Sequence, residues 1–109
     1  MSTNFSVFVV EDDEFYSEVL ECHLSLNPDI SVTKFSNAKD FLNNLDKNPD
    51  AVTLDYSLPD MSGEVVLKKI QEYNSEIPVV MISGQEDIKT AITLLKEGAY
   101  DYIVKDEGY

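Results

Sequence analysis

The sequence predicts an α/β fold in which a parallel sheet is covered by helices on both faces. Short runs of β-branched and aromatic residues alternate with longer segments of helical periodicity. Asn, Asp, Gly and Pro residues separate these segments at positions that favour turns. The length of 109 residues suits one domain with its own core. Because strands joined by helical crossovers must be parallel, the alternation predicts an open sheet.

The first strand–helix unit occupies the N-terminal quarter of the chain. The run Phe5–Val10 is apolar and stops at an acidic loop, which predicts β1. A helical pattern begins near Asp13 and ends at Asn27, before a proline, which predicts α1. Ile30–Phe35 then predicts β2. The residues expected on the inner face of α1 are Phe15, Val19, Cys22 and Leu26.

The middle of the chain predicts a second helix, a third strand and a third helix. Either Ser36 or Asn37 can cap α2. Ala51–Leu54 predicts β3, which ends at Asp55. A turn rich in helix breakers, Ser57–Gly63, separates β3 from α3. The residues expected on the inner faces are Ala38, Phe41, Leu42 and Leu45 for α2, and Val66, Leu67, Ile70 and Tyr73 for α3.

The last third predicts β4, α4 and β5. Ile77–Ile82 forms β4, with Pro78 tolerated near its start. The segment from about Glu86 to Glu97 forms α4, and Gly98 provides its C-terminal stop. Tyr100–Val104 forms β5. The residues expected on the inner face of α4 are Ile88, Ala91, Ile92 and Leu95.

Composition excludes several classes of protein. The chain has 21 acidic residues against 8 lysines and no arginine, so it should repel phosphate backbones and make no direct contact with nucleic acid. The lone Cys22 cannot form an internal disulfide, and we expect a buried thiol. The chain has neither a basic N-terminal region nor an apolar run near the roughly 20 residues that span a membrane. We therefore expect a cytoplasmic domain without membrane contact.

Residues that suit phosphoryl chemistry follow four of the predicted strands. They are Glu11 and Asp12 after β1, Asp55 after β3, Ser83 after β4 and Lys105 after β5. Taken singly, each is an ordinary cap, turn or surface residue. However, ligands of open parallel sheets bind beyond the carboxyl ends of the strands. Three carboxylates placed there repel by about 1 to 4 kcal/mol per close pair, which Mg²⁺ and the lysine would offset. The arrangement predicts phosphorylation of a carboxylate.

Four segments resemble the signature blocks of response-regulator receiver domains. They are Val9–Asp12, Leu54–Gly63, Val80–Gly84 and Gly98–Lys105. The resemblance covers nearly the whole chain and implies a single receiver domain over residues 1–109. It also implies a flavodoxin-like, doubly wound parallel sheet of five strands in the order 2-1-3-4-5. The fifth helix that usually closes this fold is missing from the chain.

The resemblance implies a role for each site residue. Asp55 would be both the phosphoacceptor nucleophile and a ligand of Mg²⁺. Asp12 would bind the metal directly, Glu11 through water, and Ser57 through its backbone carbonyl. The other conserved roles fall on Lys105 as the cation, Ser83 as the hydroxyl that turns toward the phosphoryl group, and Tyr102 as the aromatic switch.

The implied function is a phosphorylation-dependent switch, not an enzyme beyond self-catalysed phosphorylation and dephosphorylation. Its phosphodonor would be a sensor histidine kinase or a phosphotransfer protein, since His23 lies in the middle of α1 without the helical hairpin of a kinase. A homodimer is a further expected partner state. The blocks around Asp55 and Lys105 are similar to receivers fused to sigma-54-type AAA+ transcription activators, and a stand-alone receiver is the alternative.

Three alternative functions are less well supported. A haloacid-dehalogenase-type phosphohydrolase needs an aspartate two residues after the nucleophile, where this chain has Ser57. An FMN carrier needs a phosphate-binding loop after β1, where this chain is acidic. A receiver-like scaffold that acts without phosphorylation would usually lack one of the site residues.

Two departures from the family pattern lead to further expectations. Asp106 stands where the family usually has proline, so a cis proline cannot hold the lysine. The missing fifth helix should expose an apolar patch on the α1 face of the sheet. We therefore expect the chain to be less stable, and to self-associate more readily, than one extended by about 15 native residues.

Overall fold

The computed structural model describes residues 4–84 and 88–105. Within these ranges, strands and helices alternate as predicted, and one 3₁₀ turn precedes β3. The elements are β1 (Phe5–Val10), α1 (Glu14–Leu24), β2 (Ile30–Phe35), α2 (Ala38–Leu42), the 3₁₀ turn (Leu45–Lys47), β3 (Ala51–Asp55), α3 (Gly63–Tyr73), β4 (Val79–Ser83), α4 (Ile88–Lys96) and β5 (Asp101–Val104). None of the described helices combines the length and the apolar character that crossing a bilayer requires.

The five strands form one parallel sheet in the order β2-β1-β3-β4-β5. This confirms the predicted topology. Val10 pairs with Leu54, and Ser83 pairs with Val104, so neighbouring strands end nearly level. The strand order reverses beside β1, which brings the loops after β1 and β3 together at the carboxyl edge. This edge is where the candidate site lies.

The main core lies on the face of the sheet that α2, α3 and α4 cover. Alternate strand residues point into it, among them Val10, Leu54 and Met81, and they meet Phe41 and Leu67 from the helices. The phenyl rings of Phe8, Phe35 and Phe41 pack together at centroid distances between 5.1 and 6.3 Å. This packing fixes β1 against β2 and α2, and hence the start of the loop that follows β1.

The opposite face of the sheet is covered by α1, which contacts β1 and β2. Val9 and Ile82 are buried there, but Ile103 on β5 is 44% exposed. A pocket of about 280 Å³ lies between α1 and β5, and its lining is largely apolar: Phe15, Tyr16, Val19, Leu20, His23, Ile103 and Val104. The described part of the chain therefore leaves an apolar surface at the place that the sequence predicted.

Local hydrogen bonds explain where the helices begin and end. Asp13 caps α1 by accepting the N–H groups of Phe15 and Tyr16. Asn37, one of the two residues proposed from the sequence, caps α2. Gly98 ends the α4 segment with φ +113°, and a Cβ there would lie 2.9 Å from the Gln71 side chain. A glycine is therefore required at that stop.

The predicted inner face of α1 was wrong at three of its four positions. Phe15 and Leu26 are 61% and 78% exposed, and Cys22 is also exposed. The expectation of a buried thiol is therefore wrong. The helix ends at Leu24, and its buried residue is Ser17, so the face toward the sheet is rotated by about one residue, or 100°.

The predicted inner face of α4 also needs correction. Leu94 is the buried residue of this helix, whereas Ile88, Ile92 and Leu95 are 76%, 47% and 43% exposed. The helix carries two adjacent apolar stripes, and only the one through Leu94 meets the core. Tyr73 at the end of α3 is likewise half exposed, and its hydroxyl donates to Asn48.

The starts of β4 and β5 differ from the predicted ones. β4 begins at Val79, two residues later than predicted, because Pro78 has no N–H for the ladder and contributes only its carbonyl, which accepts from Val52. β5 begins at Asp101, one residue later than predicted. The predicted start of α4 at Glu86 lies outside the described residues.

Candidate functional site

An acidic cluster forms where β1 and β3 end. One carboxylate oxygen from each of Glu11, Asp12 and Asp55 lies within 4.8 Å of the others. Glu11 and Asp55 are 3% and 4% exposed, whereas Asp12 is exposed to solvent. The sequence prediction that these residues meet at one edge of the sheet is confirmed in geometry. Their roles are a separate question.

Lys105 brings a positive charge to the acidic cluster. Its backbone N–H donates to the Ser83 carbonyl at 2.7 Å, which anchors the end of β5 to the end of β4. Its Nζ donates to Glu11 Oε2 at 3.0 Å and lies 3.7 Å from Asp55 Oδ2. The ammonium also lies over the Tyr16 ring, 4.9 Å from the centroid. Four elements therefore meet around one lysine.

The Asp55 carboxylate lies in an unfavourable electrostatic environment for its charged form. Burial, together with the neighbouring Asp12 and Glu11 carboxyls, raises the pKa of Asp55 to about 7, although Lys105 acts in the opposite direction. The backbone N–H of Ser57 donates to Asp55 Oδ1 at 3.2 Å. A cation placed beside this carboxylate would restore its charged form.

The other two groups that face the cluster also have shifted pKa values. Burial alone would lower the pKa of Lys105, but the Glu11 hydrogen bond and the charges of Asp55 and Glu11 outweigh it, so the pKa is raised. Burial also raises the pKa of Tyr16, which the Lys105 charge partly offsets. Lys105 is therefore charged and Tyr16 neutral at physiological pH.

Glu11 leaves one oxygen without a hydrogen bond. Its Oε2 accepts from Lys105 and from the backbone N–H of Asp13, but its buried Oε1 has no partner among the described residues. A buried carboxylate oxygen without a partner is costly. It fits a cluster that is completed by a hydrated cation, because oxygen ligands and waters are what Mg²⁺ prefers.

Comparison with known proteins identifies the family. The model of the response regulator receiver domain matches residues 7–108. The chain belongs to this receiver family. Its relatives include the response regulator protein TodT of Pseudomonas putida, which is 38% identical over 108 residues, or 96% of this chain and 47% of TodT. The DNA-binding transcriptional regulator NtrC of Escherichia coli is 33% identical over 100 residues, or 91% of this chain and 21% of NtrC.

Solved receiver structures have the same fold as this receiver domain. One is the receiver domain of a Francisella response regulator, with a TM-score of 0.85 and 27% identity, covering 94% of this chain and 84% of that one. Another is the BeF₃-activated DrrB receiver domain, with a TM-score of 0.87 and 28% identity, covering 94% and 86%. The chain spans about half the length of TodT and about a fifth of NtrC.

Ser83 lies at the end of β4, and Tyr102 lies in the neighbouring strand β5. Ser83 is 2% exposed and ends β4 beside Val104. Tyr102 is half-buried, packs against the core and pairs with Met81. Because residues two apart in a strand share a face, Ser83 and Tyr102 point to the same side of the sheet.

The loop after β3 is held in a fixed shape. The N–H of Gly63 donates to the Tyr56 carbonyl at 2.7 Å, and Ser57 and Ser62 form an antiparallel bridge within the loop. A Cβ on Gly63 would lie 2.7 Å from the Tyr56 Cα and 2.8 Å from the Asp55 carbonyl oxygen. Only glycine fits this turn, in which the start of α3 closes tightly on the segment from Asp55 to Ser57.

Two residues near the receiver site were missed by sequence reasoning. The Asp60 carboxylate accepts the N–H groups of Ala38 and Lys39 at 3.0 and 2.9 Å, so a loop residue caps α2 alongside Asn37. These backbone hydrogen bonds lower the pKa of Asp60. Tyr16 lies under Lys105. The sequence places Asp60 in a breaker-rich turn but carries no signal for its partners in α2, and it carries none for the position of Tyr16.

The bond between Lys105 and Asp106 lies outside the described residues, so its isomer stays an open expectation. The position of the Lys105 side chain, in contrast, is defined by the structure. Lys105 reaches Glu11 and Asp55 without a following proline. The predicted lysine therefore meets the acidic cluster despite the departure from the family pattern.

Proposed function

We propose that this receiver domain is a switch controlled by phosphorylation of Asp55. The observation that supports this most is a buried carboxylate with a pKa near 7 placed 3.7 Å from a lysine ammonium at the carboxyl edge of the sheet. A nucleophilic carboxylate that is destabilised by its neighbours gains from a new bond and from a cation. Neither an FMN site nor a dehalogenase-type second aspartate is present at these positions.

We propose that Mg²⁺ completes the site. Asp12 and Asp55 would bind it through carboxylate oxygens, Ser57 through its backbone carbonyl, and Glu11 through a bound water. When bound, the ion neutralises oxygens of the incoming phosphoryl group. The donor set fits a hard cation, because three carboxylates lie within 4.8 Å and Glu11 Oε1 lacks a partner.

Phosphorylation of Asp55 transfers one phosphoryl group from a partner histidine. An Asp55 carboxylate oxygen forms the new bond to phosphorus while the P–N bond of the phosphohistidine breaks, and the imidazole leaves with its electron pair. Lys105 stands close enough to pair with the phosphoryl oxygens. Later attack by water on the acyl phosphate releases phosphate and regenerates Asp55. This self-catalysed turnover is the extent of the proposed enzymatic activity.

Ser83 and Tyr102 would carry the conformational response. The Ser83 hydroxyl would donate to a phosphoryl oxygen, and the resulting movement would let Tyr102 turn inward beside α4. Their placement on one side of the sheet supports this coupling, since Tyr102 pairs with Met81, two residues before Ser83 on the neighbouring strand. An unchanged Tyr102 rotamer in crystal structures with and without beryllofluoride would contradict it.

The input and output partners follow from the relatives. A sensor histidine kinase or phosphotransfer protein would supply the phosphoryl group, and the output would be control of transcription, as the regulatory names of TodT and NtrC suggest. A homodimer and a link to a sigma-54-type activator stay predictions, as does a cytoplasmic location. The net charge of −13 supports a role without direct nucleic-acid contact by this domain.

Intact-mass spectrometry tests the phosphoacceptor directly. The protein is incubated with Mg²⁺ and acetyl phosphate, and we expect the addition of one phosphoryl group. Asp55→Asn should abolish it, whereas Asp29→Asn, at an exposed aspartate, should leave it unchanged. Undiminished labelling of Asp55→Asn would remove Asp55 from the role.

A further inference from the structure

The lysine of the site has an unusual third neighbour. Lys105 Nζ lies 4.9 Å from the centroid of the Tyr16 ring, within the distance at which an aromatic face attracts a cation. Its two carboxylate neighbours are unequal, since Glu11 Oε2 is at hydrogen-bonding distance and Asp55 Oδ2 is 0.7 Å farther away. The ammonium is thus placed by three groups from α1, β1 and β3.

The backbone of Tyr16 is held in place, and its ring is partly buried. The residue lies in the first turn of α1, whose start is fixed by the Asp13 cap, and the Tyr16 N–H donates to that cap at 3.3 Å. Its side chain is half-buried and forms part of the wall of the apolar pocket beside Val104. The start of α1 therefore offers the ring as a surface for the flexible lysine side chain.

The lysine needs such a surface. Its stem has four rotatable methylene groups, it follows the last residue of β5, and 20% of its side chain is exposed. A lysine in that position has solvent-facing rotamers available to it. The contact with the Tyr16 ring favours the rotamer that holds the ammonium over that ring, and makes the solvent-facing rotamers less favourable by comparison.

We propose that Tyr16 is a positioning residue for Lys105, whose aromatic face keeps the ammonium between Glu11 and Asp55. Its effect on phosphoryl transfer rests on the proposed function of Asp55. The contact itself does not, because it involves only the Tyr16 ring and the Lys105 ammonium. The ring, not the hydroxyl, carries the effect, so phenylalanine should replace tyrosine here and an aliphatic residue should not.

The contact is tested first by NMR on the metal-free protein. A ring over the lysine shifts the ε-methylene protons of Lys105 upfield. We expect this shift in the wild type and in Tyr16→Phe, and its loss in Tyr16→Leu. The matched control is Tyr100→Leu, which removes a 74% exposed tyrosine and should retain the shift. An ordinary Lys105 ε-methylene position in the wild type overturns the proposal.

The consequence is tested by the rate of labelling with acetyl phosphate and Mg²⁺. Tyr16→Leu should react about 2- to 30-fold more slowly, as expected for loss of one cation–π contact, while Tyr16→Phe and Tyr100→Leu react at the wild-type rate. Equal rates for Tyr16→Leu and Tyr16→Phe overturn the positioning role. If the wild type is not labelled at all, the function proposed for Asp55 fails, and the NMR shifts alone decide whether Tyr16 positions the lysine.

A second aliphatic variant guards against misfolding. If Tyr16→Leu melts at a much lower temperature than Tyr100→Leu, Tyr16→Met is used instead of Tyr16→Leu in both experiments. The longer methionine side chain fills more of the space that the ring leaves. The expected results are the same as for Tyr16→Leu. Wild-type shifts or rates in a folded Tyr16→Met variant overturn the proposal.

Discussion

The Lys105 ammonium lies 3.7 Å from the Asp55 carboxylate, which is too long for a strong hydrogen bond but short enough for an ion pair. A phosphoryl group on Asp55 would extend the acceptor oxygens toward this lysine. The same lysine compensates the charges of the two buried carboxylates of Glu11 and Asp55. Lys105 thus has a structural role that does not depend on the chemical role proposed for it.

Removal of the Lys105 charge should destabilise the metal-free protein. Lys105→Gln leaves Glu11 and Asp55 buried without their cation, which should cost about 1 to 3 kcal/mol of unfolding free energy. Urea unfolding at pH 8 with a chelator present measures it. The control is Lys69→Gln, at an exposed lysine of α3. Equal midpoints for the two variants would show that Lys105 does not offset the cluster.

The raised pKa of Asp55 predicts a specific pH dependence. Because the folded-state pKa, about 7, lies above the ordinary 3.8, the native state binds this proton more tightly than the unfolded chain does. Without metal, the contribution of Asp55 to the free energy of unfolding should therefore decrease as the pH rises from about 4 to 7. Above that range the loss should be complete.

The Asp55→Asn variant isolates this contribution. At pH 8 without metal it should be about 1 to 3 kcal/mol more stable than the wild type, since one of three clustered charges is gone. Near pH 4 the two proteins should be nearly equal. Urea unfolding across this range measures the difference, with Asp29→Asn as the exposed control. A difference that does not vary with pH would mean that Asp55 is not the group that titrates.

Much of the site could be predicted from the sequence because it depends on strand ends. In a parallel sheet, residues that follow the strands share one edge whatever the details of packing, so Glu11, Asp55 and Lys105 meet as expected. Tyr16 depends on how α1 is rotated about its axis. The spacing of apolar residues placed Phe15 inward, and the structure exposes it.

The helix faces were harder to predict for a physical reason. Periodicity identifies an apolar stripe, but α4 has two, and the choice between Leu94 and Leu95 depends on contacts far away in the sequence. Asp60 is similar. The sequence predicts only that it is part of a breaker-rich turn. In the structure it accepts hydrogen bonds from Ala38 and Lys39, more than 20 residues away. Long-range partners leave no periodic pattern.

Mg²⁺ should stabilise the protein through the acidic cluster. An ion that binds only the native state adds about 2.7 kcal/mol at a hundredfold excess over its dissociation constant. The melting temperature should therefore rise with Mg²⁺ in the wild type and in Asp29→Ala. Asp12→Ala should lose the rise, because it removes the exposed carboxylate of the cluster. The same Mg²⁺ response in Asp12→Ala would rule out the proposed ligands.

The Asp60 cap should stabilise the contact between the β3–α3 loop and α2. Asp60→Ala removes two hydrogen-bond acceptors from the start of α2 and should lower the melting temperature at pH 7. Because its pKa is lowered, the contribution of Asp60 is present above the ordinary aspartate pKa and is lost as the pH falls below it. Thermal melts of Asp60→Ala and Asp46→Ala over this range test it. A gap that widens toward low pH would contradict the capping role.

The apolar surface between α1 and β5 should mediate self-association. Phe15 and Ile103 are 61% and 44% exposed beside a pocket of about 280 Å³, and apolar surface of this kind favours contacts between molecules. The net charge of −13 opposes association, so it should strengthen as added salt screens the repulsion. Sedimentation velocity over a range of protein concentrations measures it. Phe15→Glu should shift the population toward monomer, while Ile88→Glu, at a 76% exposed residue of α4, serves as the control. If Ile88→Glu disperses the protein and Phe15→Glu does not, association uses the exposed stripe of α4, and the surface between α1 and β5 is not the contact.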